Sequence, residues 1–141
     1  MSHLDILKNW YDRVWIGGDI AAIPEFFPED SAANGLLPDL SLTPRDFAEF
    51  IPAMQAVVQD MHYEILRHIE TEDWLWALVR FHGYARRNAA PVDMTSQVAV
   101  RIANGQFVEA HNTTDMLQFF EQIRALPQNA MALLLSGEQL N

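Results

Sequence analysis

The stretch Val100-Arg101-Ile102-Ala103-Asn104-Gly105-Gln106-Phe107-Val108-Glu109-Ala110-His111-Asn112-Thr113-Thr114-Asp115-Met116-Leu117 decides the fold. Asn104-Gly105 is the strongest short-range hairpin signal, because a type I′ turn needs positive φ at both central residues. It joins a strand of about Met94–Ala103 to one of about Phe107–Thr113. Beyond it, Met116, Leu117, Phe120 and Ile123 take helical spacing, so a helix runs from about Thr114 to Leu126, ahead of Pro127. Asp115 falls where strand hands over to helix.

Working upstream, Trp74–Tyr84 alternates Leu75, Ala77, Val79 and Phe81 on one face with Trp76, Leu78, Arg80 and His82 on the other. Tyr63, Ile65, Leu66 and Ile69 make an earlier β-favouring run. Before Asp60 the period is helical. Leu4, Leu7, Tyr11 and Val14 form an amphipathic stripe over Leu4–Trp15 that Gly17-Gly18 stops. A short helix follows from Asp19, as N-cap, to about Phe26-Phe27-Pro28. Pro28–Leu42 reads as loop with at most a short strand. Thr43-Pro44-Arg45-Asp46 is a strong helix start, and Pro52 is expected to kink or split the helix behind it. Downstream, Ala130–Leu135 is a candidate last helix. Helices, then a meander of mostly antiparallel strands, then a helical tail indicate an α+β fold with helices covering one face of a curved sheet.

Composition sets the boundaries of function. The chain has 141 residues, 50% of them hydrophobic and 11% aromatic, which fits one folded domain over 1–141 and excludes a disordered chain. No apolar run approaches the ~18 residues of a membrane span. Met1–Lys8 lacks the basic and apolar segments of a secretory signal, so a cytoplasmic setting is expected. With no Cys, disulfides, thiolate metal sites and a cysteine nucleophile are excluded. A formal net charge of −10, with the acidic excess concentrated in the first 60 residues, argues against nucleic acid and anionic membranes as partners.

The order of elements resembles the nuclear transport factor 2-like superfamily, a cone-shaped (cystatin-like) α+β fold with a pocket inside a bent sheet. Three stretches are similar to its SnoaL-like group, which includes polyketide cyclases: Gln59–Glu64, Trp74–Gly83 and Val100–Leu117. In the last, a hydrophobic-Arg-hydrophobic strand, a Gly turn, a Glu and an Asp before an apolar helix match the group's terminal hairpin. The resemblance covers about residues 4–126, leaving 127–141 as a tail. It departs where the group often has Trp and this chain has His111. It departs again where the group's His after the strand-end Gly is replaced by Tyr84-Ala85-Arg86-Arg87, and where the following loop shortens to Asn88–Pro91.

The resemblance implies cofactor-independent acid/base chemistry, such as aldol ring closure on a small hydrophobic polyketide-like carbonyl compound. Asp115 would be the base, and burial among aromatics would raise its pKa usefully. The plain alternative is that Asp115 caps the helix. His111 is a candidate proton shuttle, and His82 and Asn34 are candidate substrate contacts. A hydrogen-bonded strand residue, or for Asn34 a turn residue beside Gly35, is the simpler role for each. Tyr11, Phe50 and Trp76 build core and are candidate pocket walls. His62, Glu64 and His68 share strand parity, but His62 and His68 lie ~20 Å apart at ~3.3 Å per residue, so no metal and no cofactor is expected. Two functions stay open: a cyclase, isomerase or lyase, and a non-catalytic small-molecule-binding or interaction module. Epoxide hydrolysis or dehydration would need a denser Asp/His/Arg/Tyr set. A homodimer through the outer face of the sheet is expected.

Overall fold

The computed structural model describes residues 1–37 and 40–140. Helix α1 spans His3–Trp10 and passes without a break into a π-helical turn, Tyr11–Ile16. Ser2 and Asp5 close a capping box at its start. A 3-10 turn (Ile20–Ala22) leads into α2, Ile23–Phe26. Asp19 makes no capping bond there. Its carboxylate instead lies 3.4 Å from Arg13, which also holds Glu25 at 2.8 Å.

Two short strands, β1 (Ala33–Leu37) and β2 (Leu40–Leu42), lie in the segment read from sequence as loop with at most one short strand. Pro38 and Asp39 of that segment lie outside the described residues. Helix α3, Pro44–Val57, starts as expected on the Thr43–Asp46 capping box. It also continues as one helix past Pro52, so of the expected kink or split the split does not occur. The Pro52 side is exposed, and the lost hydrogen bond is a cost that the buried Phe47–Ile51 face outweighs.

Strands β3 (Val58–Glu70), β4 (Trp74–Ala85), β5 (Pro91–Ala103) and β6 (Gln106–Thr114) form the antiparallel meander. The turn residues Asn104 and Gly105 both have positive φ, as the hairpin reading requires. The six strands make one sheet in the order β2-β1-β6-β5-β4-β3. Only β1 against β6 is parallel among these pairings. Gly35, at φ +85°, lets β1 approach β6. A Cβ there would clash with the Asn112 carbonyl oxygen.

Register shifts in β3, between Gln59 and His62 and between Ile65 and Arg67, add residues opposite β4 and curve the sheet. Helices α1–α3 pack on its inner face, where Leu7, Trp10, Phe27, Phe47 and Phe107 centre the main core. Trp10 meets Phe26, Phe27 and Phe47 edge-on at 5.1–5.4 Å. Helix α4 (Met116–Gln122) follows β6 and α5 (Ala130–Leu135) closes the chain. Among the described residues, no helix is long and apolar enough to cross a membrane.

Candidate functional site

Helices α1 and α3 cannot close fully on the curved sheet, and a cavity of about 100 Å³ remains between them. It lies between two apolar clusters. On one side is the main core, with Trp10, Trp15, Phe27, Phe47 and Phe107. On the other is a smaller cluster of Val58, Val92, Met94 and Phe119, against which Met54, Met61 and Met116 pack. The first wall is rigid and aromatic. The second is rich in methionine, whose unbranched chain adapts to what it touches.

The π-turn brings Tyr11 and Trp15 to the cavity. Its widened winding leaves the Trp15 carbonyl to accept a hydrogen bond from Gln55 Nε2 at 2.9 Å, which ties α1 to α3. Burial pushes the Tyr11 phenol well above its ordinary range, with neighbouring Tyr63 adding to the effect. Tyr11 is therefore a neutral hydroxyl at physiological pH.

The polar part of the wall comes from the inner faces of β5 and β6. Ser96 and Thr114 are cross-strand partners whose hydroxyl oxygens stand 2.5 Å apart. Asn112, opposite Val98, presents its amide beside them. Among the described residues neither the Asn112 amide nor the Tyr11 hydroxyl has a protein partner. No buried side-chain nitrogen or oxygen among them is both sealed and unpaired. These two groups therefore open onto space that a small molecule or water can occupy. None of the described cavity-lining residues is Asp or Glu.

Of the residues singled out from sequence, Tyr11, Phe50 and His82 line this cavity. His82 does so at its border. Its ring stacks on His62 at 5.4 Å, and its cross-strand partner on the other side is Asp93. Arg80, next along that face, grips Asp93 through two bonds of 2.8 Å and Glu64 through one of 2.7 Å. The guanidinium holds the Asp93 carboxyl below the usual carboxylate range.

Trp76, Asn34 and His111 stand outside the cavity. Trp76 lies on the outer face and donates Nε1–H to Gln97 at 3.3 Å. Asn34 accepts from the Ser41 hydroxyl and is the register neighbour of His111 across β1 and β6. His111 is half exposed and sits 2.7 Å from Glu109, which Arg101 also approaches at 3.4 Å. Hydrogen bonding from His111, helped by Arg101, keeps the Glu109 carboxyl low. Asp115 is exposed at the rim, between the lining residues Thr114 and Met116. It caps α4, accepting the Gln118 N–H at 2.9 Å.

The sequence reading missed Ser96, which alternates regularly with Met94 and Val98 on the inner face of β5, and it missed Asn112 and Thr114, for which one structural feature accounts. Ile102 pairs with Phe107 and Arg101 with Glu109, so Val108 is an extra residue in β6. Counting by twos from the buried Phe107 selects Glu109, His111 and Thr113. The bulge shifts that phase by one and turns Ala110, Asn112 and Thr114 inward. Among the described residues no group of three or more His, Asp or Glu could hold a metal ion.

Comparison with known proteins places this geometry in a family. The model of the SnoaL-like polyketide cyclase family matches residues 5–123, so the chain belongs to that family. No curated protein gives a significant match. Among solved structures, a candidate polyketide cyclase from Bacillus cereus superposes with a TM-score of 0.75 at 18% identity, covering 86% of this chain and 79% of that one. Wild-type IdmH from Streptomyces antibioticus, also a candidate polyketide cyclase, gives 0.74 at 18% identity over 85% and 96%. A Catenulispora acidiphila protein with a ketosteroid isomerase-like fold, crystallised with trimethylamine, gives 0.73 at 14% identity over 87% and 94%. At these identities the likeness concerns the fold.

Proposed function

We propose that this member of the SnoaL-like polyketide cyclase family is a binding module for one small, largely apolar molecule bearing a single hydroxyl or carbonyl group. The observation that carries the reading is the composition of the cavity wall: aromatic and methionine side chains, neutral donors and acceptors from Tyr11, Asn112, Ser96 and Thr114, and His82 at the border. An apolar pocket with a few convergent polar groups is the usual form of a ligand site. Neutral amides and hydroxyls orient an oxygen, but they cannot take a proton from carbon. A cavity of about 100 Å³ approaches the ~150 Å³ of an apolar cavity that holds a benzene ring, which suits a single ring once the wall yields slightly.

Titration with phenol and with toluene tests the reading. Trp10 and Trp15 line the cavity, so saturable changes in tryptophan fluorescence are expected with both, and phenol binds more tightly. Absence of saturation with either probe refutes it.

One observation favours a cyclase-like reading as the second possibility: Asp115 sits between two lining residues. Asp115→Asn separates the two, because Asn caps a helix as well as Asp does. The binding reading expects phenol affinity and stability to survive the change, whereas loss of turnover on a cyclisable polyketide-like ketone would favour the carboxylate base. We keep as a proposal the pairing of two copies through the outer sheet face, where Trp76, Leu78 and the exposed Ile69 lie among charged side chains. Light scattering across a concentration series reads it directly.

A further inference from the structure

The two walls of the cavity differ in stiffness. Its main-core wall is built from interlocked aromatic rings. Its other wall is the methionine-rich cluster, and α4 supplies two members of that wall, Met116 and Phe119.

The way α4 is fixed is unusual. Strand β5 begins at Pro91, but its pairing with β6 starts only at Ser96 and Thr114. The first residues of β5 therefore have no strand on that side. Gln122 fills the gap: its Oε1 accepts the Asp93 N–H at 2.8 Å, and its Nε2 donates to the Asp93 carbonyl at 3.0 Å. One primary amide thus replaces a missing strand residue. At the far end of the helix Asn88 Nδ2 donates to the Ile123 carbonyl at 3.1 Å, and Glu121 accepts from the Met131 N–H of α5 at 3.3 Å.

We propose that α4 is the movable wall through which ligand reaches the cavity, and that Gln122 is its latch and so a positioning residue for ligand size. This rests on the binding reading above. With α4 latched, the cavity accepts one ring. With α4 swung away, Met54, Met61 and Met94 can rearrange around something larger while the aromatic wall stays in place. Gln122 touches no ligand. It acts by setting how often α4 opens.

The native chain has no Cys, so single introduced thiols report opening without interference. Met94→Cys places one under α4, and Val79→Cys places a control in the main core away from the cavity. Gln122→Met keeps side-chain length and helix propensity but removes both latch bonds. Each bond is worth roughly a fivefold change in an equilibrium. When Gln122→Met is added to Met94→Cys, labelling of that thiol by methyl methanethiolsulfonate should therefore accelerate about tenfold or more. The Val79→Cys thiol is reached only by global unfolding, so it should label far more slowly than the Met94→Cys thiol and with a steep dependence on urea, whereas labelling of the Met94→Cys thiol should depend only weakly on low urea. A Met94→Cys thiol that labels no faster than the Val79→Cys thiol, or that Gln122→Met does not accelerate, overturns the latch.

A ligand arm uses phenol and 1-naphthol. In Gln122→Met the association rate of 1-naphthol should rise about tenfold, with the phenol affinity changed less than about threefold. Gln122→Glu retains the acceptor and loses the donor, so it should fall between wild type and Gln122→Met. If the Met94→Cys thiol is exposed selectively and neither compound binds, the binding reading falls while the opening of α4 stands. If both compounds bind and Gln122→Met leaves the 1-naphthol rate untouched, the latch falls and the binding reading stands.

Discussion

Replacing Asn112 by Leu should make the protein more stable and a poorer binder, and the two effects can be estimated separately. Leu has the branched shape of Asn, so the exchange is nearly isosteric and leaves the packing against Ala110 and Thr114 intact. Among the described residues the Asn112 amide has no protein partner and faces a cavity whose wall is mainly aromatic and methionine. An amide left without a partner in such a place costs roughly 1–3 kcal/mol. Water in the cavity offsets part of that cost, because the amide is not sealed. The lower half of the range therefore applies, and Asn112→Leu should gain about 1 kcal/mol.

For a domain of this length that gain raises Tm by about 3–5 °C. Phenol should meanwhile lose about tenfold in affinity, since about 1.4 kcal/mol corresponds to a factor of ten and one neutral hydrogen bond is lost. Toluene, which has no oxygen to orient, should bind at least as well as before. Thermal unfolding by circular dichroism and a fluorescence titration with the two probes measure all three. A variant destabilised by more than about 1 kcal/mol would mean that the amide holds the structure together. Unchanged phenol affinity would mean that it does not face the ligand. Either result refutes the reasoning.

Three further outcomes follow from the same structure. Tyr11 has its folded-state pKa raised by burial, so its contribution is fully present below the unfolded value near pH 10 and is lost as pH climbs from there toward the folded value. Tyr11→Phe should flatten the alkaline stability slope by up to about 1.4 kcal/mol per pH unit, and urea titrations between about pH 9 and 11 would show no such difference if the phenol were not buried. Gly35→Ala combines positive φ with a Cβ that clashes with the Asn112 carbonyl oxygen; it should cost more than about 2 kcal/mol, and chemical denaturation within about 0.5 kcal/mol of wild type would contradict the close β1–β6 approach. Asp115→Ala should lose about 1 kcal/mol as a missing N-cap while Asp115→Asn stays near wild type; equal losses in both would point to a role for the charge itself.

Much of the fold was legible because local signals agreed with one another. Asn104-Gly105 sets a hairpin whatever surrounds it, and Thr43-Pro44 with Asp46 starts a helix on capping chemistry alone. Strands β1 and β2 were not legible because their pairing is tertiary. Ala33–Leu37 is a strand only since β6 offers a parallel edge and Gly35 allows contact with it. At Pro52 propensity predicts a kink or a split, and of these the split does not occur, because the burial of Phe47 and Ile51 keeps the helix in one piece.

The candidate site was half legible, and the division follows from periodicity. Tyr11 and Phe50 sit on helices whose stripe is broad enough to tolerate a one-residue error. A strand has no such tolerance, because its faces exchange at every residue. Val108 adds one residue opposite the Ile102–Arg101 step, and Glu109 and His111 turn outward to pair with Arg101 and with each other. The alternative phase would aim a carboxylate and an imidazole into the cavity, where the charged form is costly. The bulge instead leaves that pair in water and gives the cavity an amide and a hydroxyl. A single inserted residue in β6 thus gives that strand's wall an amide and a hydroxyl in place of an acid/base pair, leaving His82 as the one imidazole among the described lining residues, and on that exchange the choice between catalysis and binding turns.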